Sequence, residues 1–385
     1  MKKSATLLLM IVLLSLPLAS LTACRRALPE FRIGMILPLT GEMAPLGQSA
    51  RNAAELAAQE INQRGGLPLN GQRYQIVLVV EDDASQPESA VAAAQKLINQ
   101  ENIDALIGPL LDRTAVPVAR VAENAGILMI TPTSTDPETT LGRDYVFRTT
   151  YTNDFQGEIM ARFTFENLSS QTLARAAVLY NIADPYSVGI AEIFRQVYES
   201  AGGNLVLYES YTTGETDFSA QFERMLEAGL EVIILPNFPH EVSQQVAQAR
   251  SMGIYQTIIS GDALSELVPN QYPELSRLFL TASWHPDVAG AASQRFVAAY
   301  TEAYGQQPTS AAALTYDTMQ VLLSAAIAEG TLDAAALRAG MVSQGRYEGV
   351  TGIIEYRAGS GDPNKSVVVV QLLGERFAYI DIFAP

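Results

Sequence analysis

The chain has 385 residues, of which 25 are Lys or Arg and 41 are Asp or Glu, so its formal net charge at pH 7 is −16. Such an acidic protein has no general electrostatic attraction for nucleic acid or for anionic lipid headgroups, and neither is expected as a partner. One cysteine and two histidines (His240, His285) exclude an intramolecular disulfide and leave no zinc or haem constellation, so no metal or cofactor is expected.

The first residues are typical of an export signal. Two lysines precede an apolar run over 5–18, which is shorter than the ~20 residues that a membrane-spanning helix needs. The following Leu21-Thr22-Ala23-Cys24 resembles a bacterial lipobox, which implies cleavage before Cys24 and acylation of its sulfur. An ordinary signal peptide with a chance cysteine is the alternative. We therefore expect a signal peptide over 1–23 and a tether over 24–30, with a lipid holding the protein at the membrane.

The chain that would remain after cleavage is large and acidic. Removing residues 1–23 takes away two lysines, which changes the net charge from −16 to −18 and leaves 362 residues. That length exceeds what one ordinary hydrophobic core organises, so two lobes are expected. No segment after Cys24 is expected to have the length and apolarity needed to span a membrane.

Short apolar runs alternate with amphipathic segments along the rest of the chain. Buried strands are predicted over 32–37, 74–80, 105–107, 127–130, 176–180, 205–208, 232–235 and 257–259. A helix is predicted over 50–61, where alanines recur at helical spacing. A second helix is predicted to begin with Ser85 as its N-cap and Pro87 in its first turn.

The last hundred residues change pattern. Helices are predicted over 291–304 and 311–329, followed by strands over 352–356, 367–373 and 377–382. The earlier strand–helix alternation predicts an α/β fold in which parallel sheets are covered by helices on both faces. Two such doubly wound halves, with a tail that returns to both, are the expected architecture.

Hydroxyl side chains follow the strand predicted over 127–130. Thr133, Ser134 and Thr135 stand just before Asp136-Pro137-Glu138, which is predicted to open a helix. Ligands of open parallel sheets bind beyond the carboxyl ends of the strands, and hydroxyls beside a helix N-terminus suit a carboxylate. The alternative is that Thr135 or Asp136 only caps the helix.

Comparable strand ends in the second half carry Tyr186, Phe238 and Asp262. If both halves face one cleft, Asp262 would bind an ammonium group while the hydroxyls bind an anion, which is the layout that a zwitterionic amino acid needs. Taken singly, Asp262 is equally consistent with a helix cap, and the two aromatic residues with packing at a rim.

Ordered motifs extend over most of the chain. They are GMILPLTG at 34–41, AAQEIN at 57–62 with Gly65-Gly66, EDD at 81–83, IGP at 107–109, residues 126–137, FRTT at 147–150, DFS at 217–219, AR at 249–250 and TYD at 315–317. From about residue 31 to 382 these motifs resemble the branched-chain amino-acid binding proteins of ABC importers, of the leucine/isoleucine/valine type. That group has the type I periplasmic binding protein fold.

The resemblance implies two lobes that close over a ligand about a three-stranded hinge. The first lobe would comprise 31–151 plus 283–355, and the second 152–282 plus 356–385. It further implies a monomeric, non-enzymatic protein that captures an amino acid or a related small polar solute and delivers it to the membrane subunits of an ABC permease. A sensor subunit with the same fold, or a ligand such as an amide, urea or polyamine, is the alternative. A hydrolase or dehydrogenase is disfavoured because its motifs are missing.

Site residues carry over from the resemblance one at a time. Thr133 and Thr135 match positions that hold the ligand carboxylate, by backbone and by hydroxyl respectively. Tyr186 matches a tyrosine over the ligand, and Phe238 stands where a second tyrosine is frequent. Asp262 stands where an acid, usually Glu, pairs with the α-ammonium.

Two positions depart from the pattern. Leu46 stands where an aromatic residue often lines the side-chain pocket, which implies a wider or more aliphatic pocket. Asp112 stands where a serine usually donates to the carboxylate, and an ionised Asp112 cannot donate and would repel that group. Thr114 or a backbone N–H would then take the role, or Asp112 turns outward, or the ligand is not a plain α-amino acid.

Overall fold

The computed structural model describes residues 27–385 except 42, 169–174, 268–270, 288–289 and 358. The predicted signal peptide, the lipobox and Cys24 lie outside the described residues. Two large sheets and one small sheet form within the described part of the chain, and helices cover both faces of the two large sheets.

The first lobe is built on a sheet whose described strands follow the order β2-β3-β1-β4-β5-β6. All its neighbouring strands run parallel except the β2–β3 pair, so the carboxyl ends of the other strands meet at one edge. Its elements are β1 (Glu30–Leu37), α1 (Ala44–Gln63), β2 (Leu67–Leu69), β3 (Gln72–Asp82), α2 (Pro87–Asn99), β4 (Ala105–Ile107), α3 (Asp112–Ala125), β5 (Met129–Thr131) and β6 (Val146–Arg148).

The second lobe is built on a sheet whose described strands follow the order β16-β15-β11-β10-β9-β7-β8. Its central strands run parallel, and β15 and β16 join antiparallel at one edge. Up to residue 282 its elements are α4 (Asn153–Phe163), β7 (Arg175–Asn181), α5 (Pro185–Ser200), β8 (Asn204–Tyr211), α6 (Ser219–Ala228), β9 (Val232–Leu235), α7 (Pro239–Ser251), β10 (Thr257–Ser260) and β11 (Phe279–Ala282).

The last hundred residues return to both lobes. Helix α9 packs against α1 of the first lobe, and β15 and β16 complete the second sheet. These late elements are α8 (Ala291–Tyr304), α9 (Ser310–Glu329), α10 (Ala334–Gln344), β12 (Arg346–Gly349), β13 (Gly352–Tyr356), β14 (Pro363–Asn364), β15 (Val367–Leu373) and β16 (Arg376–Phe383). The chain therefore passes between the large sheets after β6, after β11 and after β14, and the predicted α/β fold class of two doubly wound lobes is confirmed. The residue bounds predicted for each lobe stay a prediction.

Alternating residues of β1 show why a nearly continuous apolar run forms a central strand. Ile33 and Met35 pack toward α1, whereas Ile36 packs toward α2 and α3, and all three are fully buried. A strand covered by helices on both faces needs apolar side chains on both faces. The same burial explains why the strands predicted over 105–107 and 232–235 coincide with β4 and β9.

Two local predictions are wrong. Ser85 is not the N-cap of α2: the cap is Gln86, and the backbone N–H of Ser85 instead donates to Asp83 at 2.7 Å in a tight turn. The 20-residue α9 is long and apolar enough to cross a membrane, contrary to expectation. However, 72% of its apolar stretch is buried inside the protein, as in the core helix of a globular domain.

Candidate ligand-binding site between the lobes

A cavity lies between the lobes, at the carboxyl ends of the parallel strands. The space that the centre of a water molecule can reach there is about 50 Å³. Both lobes contribute to its lining. The lining residues are Met43, Leu46, Leu110, Leu111, Asp112, Thr133, Thr135, Tyr186, Phe238, Asp262, Ala263, Ser265, Glu266, Ser283, Ser310, Ala311 and Leu314.

Asp262 follows β10 on the second-lobe side of the cavity. Its carboxylate accepts hydrogen bonds from the hydroxyl of Tyr186 at 2.9 Å, from Nε2 of Gln156 at 2.9 Å and from the hydroxyl of Tyr151 at 3.2 Å. Burial raises the pKa of Asp262 above its usual value, while the bonds from Gln156 and Tyr186 oppose that rise. A cationic group in the cavity would favour the ionised carboxylate further, so Asp262 is suited to bind an ammonium.

Gly261 allows this arrangement because it lies against the tyrosine. A Cβ atom at Gly261 would lie 2.1 Å from the hydroxyl oxygen of Tyr186 and 3.2 Å from Nε2 of Gln156. Real Cβ atoms do not approach other atoms that closely, so any larger residue here would displace the groups that hold Asp262.

Two aromatic rings form part of the second-lobe wall. The rings of Tyr186 and Phe238 lie with their centroids 5.4 Å apart at 35°. Tyr186 is fixed at the start of α5, where Asp184 caps the helix by accepting from the backbone N–H of Tyr186 at 3.1 Å. From the first lobe, the guanidinium of Arg113 lies 5.2 Å from the centroid of Phe238.

Asp112 turns toward the loop that follows β5, not outward. Its Oδ1 accepts from Oγ of Ser134 at 2.6 Å and from the backbone N–H groups of Thr135 at 2.7 Å and Asp136 at 3.1 Å. The hydroxyl cluster that was expected to receive a ligand carboxylate therefore binds a carboxylate of its own chain.

The helix expected at Asp136-Pro137-Glu138 is only a single 3-10 turn, Pro137–Thr139. Asp136 caps that turn by accepting from the backbone N–H of Glu138 at 2.8 Å, as the capping alternative predicted. A turn this short has no aligned stack of peptide dipoles, so the helix contribution expected for an anion site is not present.

The cavity brings together most of the predicted site residues. Seven of them line it, namely Leu46, Asp112, Thr133, Thr135, Tyr186, Phe238 and Asp262. Thr114 and Ser134 do not. The hydroxyl of Thr114 donates to the carbonyl of Leu111 at 3.0 Å, one turn earlier in the chain, and that of Ser134 donates to Asp112. Contact of any of these residues with a ligand stays a prediction.

Sequence reasoning missed Glu266, which lines the cavity from the second lobe. Its Oε1 accepts from the backbone N–H of Ala311 at 2.9 Å, at the start of α9, so it joins the two lobes. Burial raises the pKa of Glu266 to about 7. A Glu four residues after Asp262, at the end of a short 3-10 helix, carries no local sequence signal of a cavity position. Among the described residues, no group of three or more His, Cys, Asp or Glu is placed to hold a metal ion.

The fold and this cleft define a two-lobed solute-binding protein, and comparison with known proteins agrees. Residues 30–376 match the family of periplasmic binding proteins, so the chain belongs to that family. It is 33% identical over 248 residues to the Leu/Ile/Val-binding protein BraC3 of Rhizobium johnstonii. The matched region covers 64% of this chain and 65% of the relative. The chain is 28% identical over 344 residues to Leu/Ile/Val-binding protein homolog 2 of Brucella abortus, covering 89% and 90%.

Solved structures show the same relationship. The leucine binding protein LivK of Thermotoga maritima has a TM-score of 0.85 at 29% identity, covering 92% of this chain and 99% of its own. The substrate binding protein LivJ of Streptococcus pneumoniae, in complex with isoleucine, has a TM-score of 0.84 at 29% identity, covering 92% and 100%. The predicted resemblance to branched-chain amino-acid binding proteins of ABC transporters is confirmed.

Proposed function

We propose that this protein is the extracytoplasmic solute-binding component of an ABC importer. It captures an amino acid, or a related small polar solute with an amino group, between its lobes and delivers it to the membrane subunits of the permease. One observation carries the proposal: Asp262 lies in a cavity lined by both lobes, with its carboxylate oriented by Tyr151, Gln156 and Tyr186. The relatives named above support the solute class and the transporter.

Closure of the lobes explains how binding would be strong and visible to a permease. Contacts between charges strengthen when the cleft excludes water, because the effective dielectric constant falls. Glu266 and Ala311 already join the two lobes beside the cavity. The membrane subunits would then recognise the closed arrangement, which hinge motion about the three crossing segments produces.

A lipid at Cys24 would hold the protein at the membrane, as the lipobox-like Leu21-Thr22-Ala23-Cys24 indicates. Cys24→Ser should release the protein from the membrane fraction of cells that export it, without changing ligand affinity in the purified body. Equal membrane association of both forms would contradict the lipid anchor alone.

The central experiment is a thermal-shift screen of residues 24–385 against the standard amino acids, short amides, urea, simple amines and polyamines. A ligand at one hundred times its Kd adds about 2.7 kcal/mol to the free energy of unfolding. No shift with any compound would contradict solute capture.

Asp262→Asn tests the cavity itself. We expect this substitution to lower the affinity for the best ligand of the screen by more than tenfold, because it removes the charge that receives an ammonium. Asp381→Asn, at an exposed position on β16, is the matched control and should bind normally. Normal binding by the Asp262 variant would show that the ligand's ammonium group does not bind at Asp262.

A further inference from the structure

The carboxylate of Asp112 occupies the donors that would otherwise receive a ligand carboxylate. Besides the three short bonds to its Oδ1, its Oδ2 lies 3.4 Å from Oγ1 of Thr135 and 3.4 Å from Nδ2 of Asn153. Asp112 is 5% exposed and Thr135 is 1% exposed, so these are contacts of a packed interior. Two backbone N–H groups and a serine hydroxyl on one oxygen leave that cluster satisfied by the protein itself.

The neighbouring hydroxyls are also engaged. Thr133 Oγ1 donates to the carbonyl of Leu110 at 2.7 Å, and Thr131 Oγ1 donates to the carbonyl of Pro109 at 2.6 Å. Each hydroxyl group has one proton, so a hydroxyl that donates to a carbonyl has none left for an anionic ligand. The side-chain hydroxyls of Thr131, Thr133 and Ser134, at the end of β5 and in the loop after it, are therefore already used as donors within the protein.

Acidic side chains line the cavity, and no basic side chain does among the described residues. The acidic residues are Asp112, Asp262 and Glu266. Arg113 follows Asp112 directly but faces Asp184 and the ring of Phe238. Burial raises the pKa of Asp262 most, and the nearby carboxylate of Asp112 raises it further. A ligand carboxylate would add a further like charge without a partner.

The rest of the lining suits a cation with a short apolar body. Tyr186 and Phe238 line the cavity, and aromatic rings attract ammonium groups placed over their faces. Apolar side chains from the first lobe, among them Leu46 and Leu314, complete the opposite wall.

We infer that the ligand is a small organic cation without a carboxylate, such as a short primary amine, and that Asp112 is the residue that excludes α-amino acids. The inference rests on the proposed function, since it names the solute class of the same cavity. Asp262 binds the ammonium, with Glu266 as the second acidic group, and the aromatic rings flank it. Asp112 occupies the carboxylate position.

Four compounds that share a 3-methylbutyl unit test the inference by isothermal titration calorimetry. They are 3-methylbutylamine, leucinamide, L-leucine and 4-methylpentanoate, which separate the ammonium from the carboxylate. The wild-type protein should bind the amine at least tenfold more tightly than L-leucine, with leucinamide between them and no measurable binding of 4-methylpentanoate.

Two substitutions locate the effect at Asp112. Asp112→Ser restores a donor and frees the N–H groups of Thr135 and Asp136, so affinity for L-leucine should rise at least tenfold while affinity for the amine falls. Asp112→Asn retains an acceptor for those N–H groups and so keeps the local fold. It should weaken binding of the amine without improving binding of 4-methylpentanoate, because the amide side chain still occupies the carboxylate position.

The outcomes separate this inference from the proposed function. L-leucine binding to the wild type as tightly as the amine, or no gain of L-leucine affinity in Asp112→Ser, overturns the exclusion of carboxylates and leaves solute capture intact. Binding of urea or a neutral amide with no binding of any amine overturns the inference that the ligand is a cation. No thermal shift with any compound of the screen overturns both solute capture and this inference.

Discussion

Nη1 of Arg113, in α3 of the first lobe, lies 3.1 Å from Oδ2 of Asp184, the cap of α5 in the second lobe. The two side chains are 25% and 10% exposed, so the ion pair is shielded from much of the solvent. The Nε atom of Arg113 also donates to the carbonyl of Ser85 at 3.1 Å, which fixes the guanidinium to the first lobe. This pair joins the two lobes close to the cavity, since Asp112 and Tyr186, which are near Arg113 and Asp184 in the chain, line it.

Arg113→Ala should weaken ligand binding without unfolding the protein. The substitution removes the ion pair with Asp184 and the cation–π contact with Phe238, both of which hold the lobes together. Their loss should cost about 1–1.5 kcal/mol of binding free energy, which corresponds to roughly a five- to tenfold higher Kd. Titration calorimetry with the best ligand measures the change. Arg162→Ala is the control, because its pair with Glu158 lies within one helix and is 44% exposed on both sides. Equal effects of the two substitutions would contradict a role of Arg113 in closure.

Gly261→Ala should lower ligand affinity more than tenfold. The new Cβ atom would lie 2.1 Å from the hydroxyl of Tyr186 and force apart the groups that orient Asp262. Gly290→Ala is the matched control, since a Cβ there has open space and its backbone φ of −71° suits any residue. A Gly261→Ala variant that binds normally would show that Tyr186 can move without loss of the site.

Glu266 should make the ligand-free protein less stable as the pH rises. Burial raises its pKa to about 7, against an ordinary value of 4.5 in the unfolded chain. Between those values the folded state holds a proton that the unfolded state releases, so the free energy of unfolding falls as the pH rises and levels off above pH 7. Over that window the loss is about 3 kcal/mol.

Glu266→Gln should therefore match the wild type in stability near pH 4.5 and exceed it at pH 8. Urea unfolding at pH 4.5, 6 and 8 measures the difference, with the exposed Glu375→Gln as control. A constant difference between wild type and Glu266→Gln at all three pH values would contradict a buried, protonated Glu266.

The lobe cores could be predicted from sequence, but the direction of Asp112 could not. Apolar runs such as β9 (VIIL) identify strands because burial on both faces leaves no choice of residue. The strand β6 (VFR) was missed because a buried arginine interrupts its apolar pattern, whereas β4 (ALI), equally short, is wholly apolar. Asp112 was known to be unusual, yet its contacts depend on a loop twenty-two positions away, which no local pattern encodes.

Arg148→Met should destabilise the protein by about 3–5 kcal/mol, the typical cost of breaking a buried charged network. Arg148 is fully buried, donates to the carbonyls of Ser134 and Asp136 at 2.7 Å each, and pairs with Asp362 at 2.6 Å. Urea unfolding measures the loss. Arg338→Met, which removes a surface pair with Asp144, should cost at most about 1 kcal/mol. Similar losses in both variants would show that the bonds from Arg148 to Ser134 and Asp136 do not stabilise the loop that contacts Asp112.

The packing of α9 on α1 has a consequence for the life of the unfinished chain. The hydroxyls of Ser49 and Thr309, 260 positions apart, are joined by a hydrogen bond at 2.6 Å. The apolar face of α1 is therefore covered only after α9, near the end of the chain, has been synthesised. Until then that face is exposed to other chains, and collapse with a wrong partner competes with folding. A chain that ends before residue 310 would leave this face of α1 uncovered and would lack the part of the cavity wall that Ser310, Ala311 and Leu314 supply.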